Sequence, residues 1–251
     1  MTHPFLDQEN PLALAHQGGG NEEIENSTAA FANAARLGYR YLDVDLQVTS
    51  DDVLVAHHDD TLDRLTDQTG SIRDSTWAQV RTARLPNGEP LAAFEDLLDA
   101  HPEARWNIEV KTDAGVRPTL DLVRRRALDE RCCLNAFSDP RMWKVRRAGK
   151  GLDLCASTAL VGTLYLKATS YVPLPFRSWA RATQVPIKNK GIPVLDGRFA
   201  RRAHRVGLKV IAWTIDEEGV MRRLLDLGVD GILTDQPTLL KAVLTERGQW
   251  E

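Results

Sequence analysis

Cysteine is scarce: Cys132, Cys133 and Cys155 are the only three in 251 residues. An odd, small number without a spacing pattern provides no disulfide framework and suits a reducing compartment. Cys132 and Cys133 lie side by side in a short apolar run and read as core fillers. No apolar stretch reaches the ~18 residues of a membrane-spanning helix. The first ten residues carry Asp7 and Glu9 and lack the apolar centre of a secretory signal. A cytoplasmic protein is therefore expected, with peripheral membrane contact left open. Charge of one sign is not in excess either: 32 Lys and Arg face 35 Asp and Glu, for a formal net charge of -3. That balance speaks against nucleic acid as a partner. The longest basic run, Arg124 to Arg126, reads as the solvated face of a helix. Repeats and low-complexity tracts are missing. Gly18, Gly19 and Gly20 occur together, but without the G-x-G-x-x-G spacing that opens a dinucleotide-binding helix in a doubly wound sheet.

What recurs along the chain is a short apolar run, a turn and a helical pattern. Strands are expected at Leu12–Ala15, Tyr41–Val48, Val53–Ala56, Trp106–Val110, Cys132–Phe137, Asp153–Ser157, Ala182–Val185, Leu208–Trp213 and Gly231–Leu233. Helices are expected at Ser27–Leu37, Thr119–Leu128, Pro140–Ala148, Arg198–Val206 and Glu217–Leu227. Such alternation implies parallel strands joined by right-handed crossovers. About eight units close a barrel, and an α/β barrel occupies roughly 250 residues. The expectation is one α/β domain over residues 1–251, a (β/α)8 TIM barrel with an insertion after the second strand at roughly 59–93. A second irregular stretch, Thr163 to Gln184, carries Tyr165, Tyr171, Phe176 and Trp179 among prolines, as a lid or binding loop would.

Barrel enzymes carry their chemistry at the C-terminal ends of strands, and polar exceptions gather there. His16 closes the first run. Asp43 and Asp45, two apart, share one face of the second. His57 and His58 close the next, and as neighbours on a strand only one should face the site; His58 is the candidate. Glu109 and Lys111 sit two apart at the end of another. Charges in apolar strands are costly unless paired or bound to an ion. Asp43, Asp45 and Glu109 form an all-oxygen set suited to a hard divalent cation, Ca2+ or Mg2+, unlike the His/Cys sets typical of zinc; simple ion pairing with Lys111 is the plainer alternative. His16 and His58 are the natural proton-transfer pair, since imidazole titrates near neutral pH. His3, His101 and His204 receive no role. Two acids at i, i+2 on one strand are not the opposed pair of a glycosidase.

Seven ordered segments resemble the glycerophosphodiester phosphodiesterase family. His16-Gln17-Gly18-Gly19 and Glu25-Asn26-Ser27-Thr28-Ala29-Ala30-Phe31 are similar to its HRG and ENT-x-x-AF elements. Asp43 to Asp51 resembles its E-x-D-x-x-x-T-x-D strand, and His58 to Thr66 its HD-x-x-L-x-R-x-T block. Asn107 to Lys111 matches N-I-E-x-K, while Ala212-Trp213-Thr214 and Gly228 to Asp235 resemble its late segments.

The resemblance implies metal-dependent hydrolysis of glycerophosphodiesters to sn-glycerol 3-phosphate and an alcohol. It implies His16 and His58 as general acid and base, and Asp43, Asp45 and Glu109 as metal ligands. Gln17, Glu25, Lys111 and Trp213 would then meet substrate, Lys111 at the phosphate and Trp213 against the glycerol or head group. Two departures stand out. Gln17 replaces the family's arginine, removing a bidentate phosphate donor, and Asp43 replaces a glutamate one methylene longer. Ile24 stands where the family has proline. Two alternatives follow: cleavage of lysophospholipids in the manner of a lysophospholipase D, with the aromatic stretch as an apolar entrance, or binding of a phosphate ligand with little turnover.

Overall fold

The structure, a computed structural model, describes residues 5–169 and 178–250. From the N-terminus, β1 (Leu12–Ala15), α1 (Thr28–Arg36), β2 (Tyr41–Val48) and β3 (Leu54–Ala56) lead into α2 (Trp77–Val80) and α3 (Phe94–Ala100). The middle comprises β4 (Arg105–Val110), α4 (Val116–Arg125), β5 (Cys132–Asn135), α5 (Asp139–Ala148), β6 (Asp153–Leu154) and α6 (Thr158–Thr169). Then come β7 (Ala182–Val185), the pair β8 (Lys188–Asn189) and β9 (Ile192–Pro193), α7 (Gly197–Arg205), β10 (Lys209–Ala212), α8 (Glu218–Asp226), β11 (Gly231–Thr234) and α9 (Pro237–Glu246). Polar caps set several helix starts: Ser27 accepts from Ala30 N, Ser138 from Arg141 N, and Asp196 from Arg198 N and Phe199 N, each satisfying an N–H the helix leaves unpaired.

Eight strands run parallel in the order β6-β5-β4-β2-β1-β11-β10-β7. The two ends meet where Cys155 bridges Ala182. There Ala156 N donates to Ala182 O at 2.8 Å and Arg181 N to Leu154 O at 2.9 Å. The sheet thus curls into the expected eight-stranded barrel and is not an open doubly wound sheet. Alternate residues of each strand point inward. Toward the N-terminal ends these are apolar: Leu12, Leu14, Tyr41, Cys133, Cys155, Ala182, Ile211 and Leu233 pack as one cluster. Phe5 plugs that end, edge-on to Tyr41 at 5.0 Å between ring centroids. The outward faces pack against the helices in two larger clusters. All three cysteines are buried and free, as their apolar context suggested.

Three expectations need correction. The strand ending before His57 and His58 is not a barrel strand: β3 pairs antiparallel with β2, Val48 against Leu54. The connection is too short for a crossover. Its turn is held by Thr49, whose hydroxyl accepts from Val53 N at 3.0 Å, and by Asp52 at φ 62. Next, Thr163 to Thr169 continues helix α6, so Tyr165 is helical; Tyr171 and Phe176 lie outside the described residues, as does His3. The hairpin β8–β9 and helices α3 and α9 escaped the sequence pattern altogether. The segment after β3 carries its own small core of Val55, Leu62, Ile72, Val80, Ala83, Leu85 and Leu91, which keeps this insertion folded at the barrel rim.

Candidate active site

Near the C-terminal ends of β2 and β4 the inward positions are polar. On β2 the series is Tyr41, Asp43, Asp45; on β4 it is Arg105, Asn107, Glu109, followed by Lys111. Register sets Asp43 beside Asn107 and Asp45 beside Glu109, and Glu109 beside Asn135 on β5. The sequence therefore places a layer of acids and amides across the C-terminal mouth. Asp43 and Asp45 are 5% and 2% exposed.

His16 stands directly above β1, in the turn His16–Gly18. Gln17 takes φ 51 there and Gly18 and Gly19 take φ 85 and 105, a left-handed run in which L side chains are disfavoured. Glycine at 18 is also required by space: an added Cβ would lie 2.7 Å from the Ala30 Cβ. The turn aims Gln17 at both acids. Its backbone N–H donates to Asp43 Oδ2 at 3.4 Å and its amide to Asp45 Oδ2 at 2.5 Å. Asn26 adds a second amide donor to the same Asp45 oxygen at 3.2 Å, while Asn107 donates to Asp43 Oδ1. On the other side, Lys111 Nζ lies 3.2 Å from Glu109 Oε1 and 3.6 Å from Asp45 Oδ1.

The charge balance of this layer is negative. Three carboxylates face one ammonium, and burial and crowding shift Glu109 and Asp43. Burial, then the charge of Asp45, pushes Glu109 up to about 8. Burial raises Asp43 to about 6, with His16 opposing and Asp45 assisting. Burial pulls Lys111 down, but Asp45 and Glu109 override it and hold the ammonium above its ordinary value. Among the described residues no three acidic, histidine or cysteine side chains are gathered as ready-made metal ligands; Gln17, Asn26 and Lys111 meet the carboxylate oxygens instead. An all-carboxylate donor set with surplus negative charge in a buried layer fits a hard divalent cation.

Both predicted histidines form Asp–His pairs through Nδ1. His16 Nδ1 lies 2.7 Å from Asp235 Oδ1, leaving Nε2 on the side of Asp43 Oδ2 at 4.0 Å. Burial would lower the His16 pKa, but the Asp235 hydrogen bond and the charges of Asp43, Asp235 and Asp45 raise it to about 9. His58 Nδ1 lies 2.6 Å from Asp59 Oδ1 and its ring is 47% exposed at the rim. His57, by contrast, is fully buried and bonds through Nε2 to Thr61 O at 3.0 Å, so its part is structural. Asp59 is held at about 2, chiefly by the hydrogen bond from Arg64. Arg64 also spans both oxygens of Glu25, at 2.5 and 3.1 Å. Glu25 is thus engaged at the rim by an arginine.

Trp213 follows β10 at the mouth, edge-on to Phe137 at 5.2 Å; its buried indole N–H has no partner among the described residues. It borders an apolar chamber of about 420 Å³ beside the acidic layer, with Phe137, Val161, Tyr165, Ile192 and Val194 in its walls. Asn135 and Gln184 line it as well. Gln184 donates to Asn107 Oδ1 at 2.7 Å, which connects the chamber to Asp43 by hydrogen bonds. His101 and His204 lie elsewhere, the latter paired with Asp230 at 2.7 Å.

All nine predicted side chains therefore lie at the C-terminal mouth or its rim. Sequence reasoning assigned no role to Asp235, Asn107, Asn26, Asp59, Arg64 or Gln184. Asn107 carried a legible signal, sharing the strand face of Glu109 at i, i+2; Asp235 closes an apolar strand just as His16 does.

Comparison with known proteins follows the same line. The glycerophosphoryl diester phosphodiesterase family matches residues 16–239. A Mycobacterium tuberculosis protein called probable glycerophosphodiester phosphodiesterase 2 is 37% identical over 259 residues, covering 100% of this chain and 97% of the relative. A glycerophosphodiester phosphodiesterase from Caldanaerobacter subterraneus is 27% identical, covering 94% and 99%. Among solved structures, an Oleispira antarctica phosphodiesterase in complex with the product sn-glycerol-3-phosphate superposes with a TM-score of 0.79 at 17% identity, over 94% of this chain and 97% of that one. By its sequence over nearly its whole length, and with a barrel shared by these structures, the chain belongs to the glycerophosphoryl diester phosphodiesterase family.

Proposed function

We propose that this phosphodiesterase hydrolyses glycerophosphodiesters to sn-glycerol 3-phosphate and an alcohol, with His16 and His58 moving the protons. The observation that carries the reading is the Asp235–His16 pair set 4.0 Å from Asp43, above a layer of three acids. Asp235 accepts a hydrogen bond from His16 Nδ1–H, which leaves Nε2 as the working nitrogen. Asp59 does the same for His58, and Arg64 fixes Asp59 in turn. Two imidazoles that make no hydrogen bond through Nε2 among the described residues can serve the two proton transfers of diester cleavage, one to the leaving alcohol and one from the attacking oxygen.

Asp43, Asp45 and Glu109 would hold the divalent cation, Ca2+ or Mg2+. When bound it would polarise phosphoryl oxygens and offset developing negative charge. Lys111 is positioned to share the phosphate's charge from the β4 side. Gln17 offers no charge where the family has arginine, so its amide serves mainly to orient Asp45. The test is release of glycerol 3-phosphate from glycerophosphocholine by the purified, metal-replete protein. Release that is abolished by chelation and in both His16→Ala and His58→Ala is expected; activity retained in either variant would refute the assigned proton carriers.

The chamber favours a second reading, cleavage of acyl-bearing lysophospholipids. Its apolar walls join the acidic layer through Gln184 and Asn107, and a 25% identical relative from Rattus norvegicus is called a lysophospholipase D. Faster turnover of lysophosphatidylcholine than of glycerophosphocholine would establish it, and equal or slower turnover would exclude it.

A further inference from the structure

The lip of this chamber has features that hydrolysis does not use. Among the described residues only five large hydrophobic side chains are strongly exposed, and two of them, Phe137 at 54% and Ile192 at 56%, are also chamber walls. Ile192 sits in the β8–β9 hairpin, in which every residue from Lys188 to Pro193 is exposed. The hairpin belongs to no part of the barrel sheet. Its register pairs Lys188 with Pro193 and Asn189 with Ile192, leaving Lys190 and Gly191 as a two-residue loop at φ 49 and 82. Both angles are positive, the geometry of a type I′ turn, whose first position favours Asn, Asp or Gly. A lysine held there is conformationally disfavoured, and it puts a positive charge at the tip.

Lys188 and Lys190 give the hairpin two positive charges with no acidic residue between Lys188 and Pro193, in a chain whose net charge is -3. Lys188 and Lys190 make no ion pair among the described residues.

We propose that Phe137 and the β8–β9 hairpin form a docking surface for an anionic phospholipid bilayer, with Lys188 and Lys190 at the head groups and Phe137 and Ile192 at the acyl boundary. Exposed apolar side chains beside unpaired lysines match that chemistry on both counts. Docking there would bring the chamber mouth against lipid. The inference does not depend on which diester the site cleaves.

Co-sedimentation of the full chain with vesicles of 70% phosphatidylcholine and 30% phosphatidylglycerol tests it. The protein should pellet with these vesicles, bind pure phosphatidylcholine far more weakly, and be released by high salt. Each lysine near an anionic surface is worth about fivefold in affinity, so removal of both in Lys188→Glu/Lys190→Glu should weaken binding by at least about 30-fold. That variant should keep wild-type turnover of a soluble diester, which reports that it is folded. Ile192→Asp should also lose binding, including at low salt. Failure to pellet, equal binding to neutral vesicles, wild-type binding by the lysine variant, or competition by an oligonucleotide at equal charge would each overturn the proposal. Vesicle binding without any diester turnover would sink the enzymatic reading and leave the docking surface standing.

Discussion

Replacing Asp235 by asparagine keeps the size of the side chain that orients His16 and deletes its charge. In the metal-free protein the His16 pKa stands at about 9 against an ordinary 6.5, a displacement worth about 3 kcal/mol at 1.36 kcal/mol per tenfold. Asp235 supplies the largest raising influence, its hydrogen bond, and a direct charge besides; Asp43 and Asp45 supply the rest, against burial. Asp235→Asn should therefore drop the imidazole pKa substantially and free the ring to rotate. Catalysis should fall by at least about 100-fold and up to about 10⁴-fold, the loss seen when the aspartate that orients an acid/base imidazole becomes asparagine. The loss should appear in kcat with KM nearly unchanged, because Asp235 reaches the substrate only through His16. Stability should change in a defined pH window. A group with a raised folded pKa stabilises fully below its unfolded value and loses that contribution as pH rises through its folded value. Melting curves in chelator should therefore separate wild type from Asp235→Asn at pH 6 and bring them closer above pH 9. A variant with kcat within twofold of wild type, or a gap in melting temperature that widens between pH 6 and pH 9, would refute the reasoning.

Three further outcomes follow from the same layer. Because Asp43 is raised to about 6 and Glu109 to about 8, protons leave before a cation binds, and thermal stabilisation by Ca2+ or Mg2+ should grow from pH 6 to pH 8; a constant gain by calorimetry would count against those ligands. Asn107→Leu removes a fully buried donor to Asp43 and an acceptor for Gln184. Stranding those groups should cost about 2 kcal/mol and lower the melting temperature by roughly 4–8 °C. Gly18→Ala meets both φ 85 and a 2.7 Å approach to Ala30, so it should lower stability by about 1–3 kcal/mol in denaturant titration; a neutral result would mean that the turn relaxes freely.

The polar side chains could be found from the sequence because burying charge is costly. A charge recurring with period two in an apolar strand, such as Asp43, Asp45 and Glu109, stands out whatever the fold. His16 and His58 were legible as ends of apolar runs, although His58 follows a hairpin strand and not a barrel strand. The barrel itself followed from alternation of strand and helix, which needs only local hydrophobic period and turn residues. Elements lacking that local signal were missed: α6 hid behind the irregular composition of its neighbourhood, and the β8–β9 hairpin is too short and too exposed to show a period.

Partnership, unlike presence, was decided by tertiary structure. Asp235 lies 219 residues from His16, and no local rule joins them; the pairing of β1 with β11, Ala15 beside Thr234, sets the two strand ends side by side. The same holds for Gln184 and Asn107, 77 residues apart, which meet through the barrel interior. Local sequence determined which residues are costly to bury and in which strands they sit, because burial and periodicity are properties of a few neighbouring residues. Closure of the sheet decided which of them touch, because contacts across a barrel depend on the register of strands far apart in the chain.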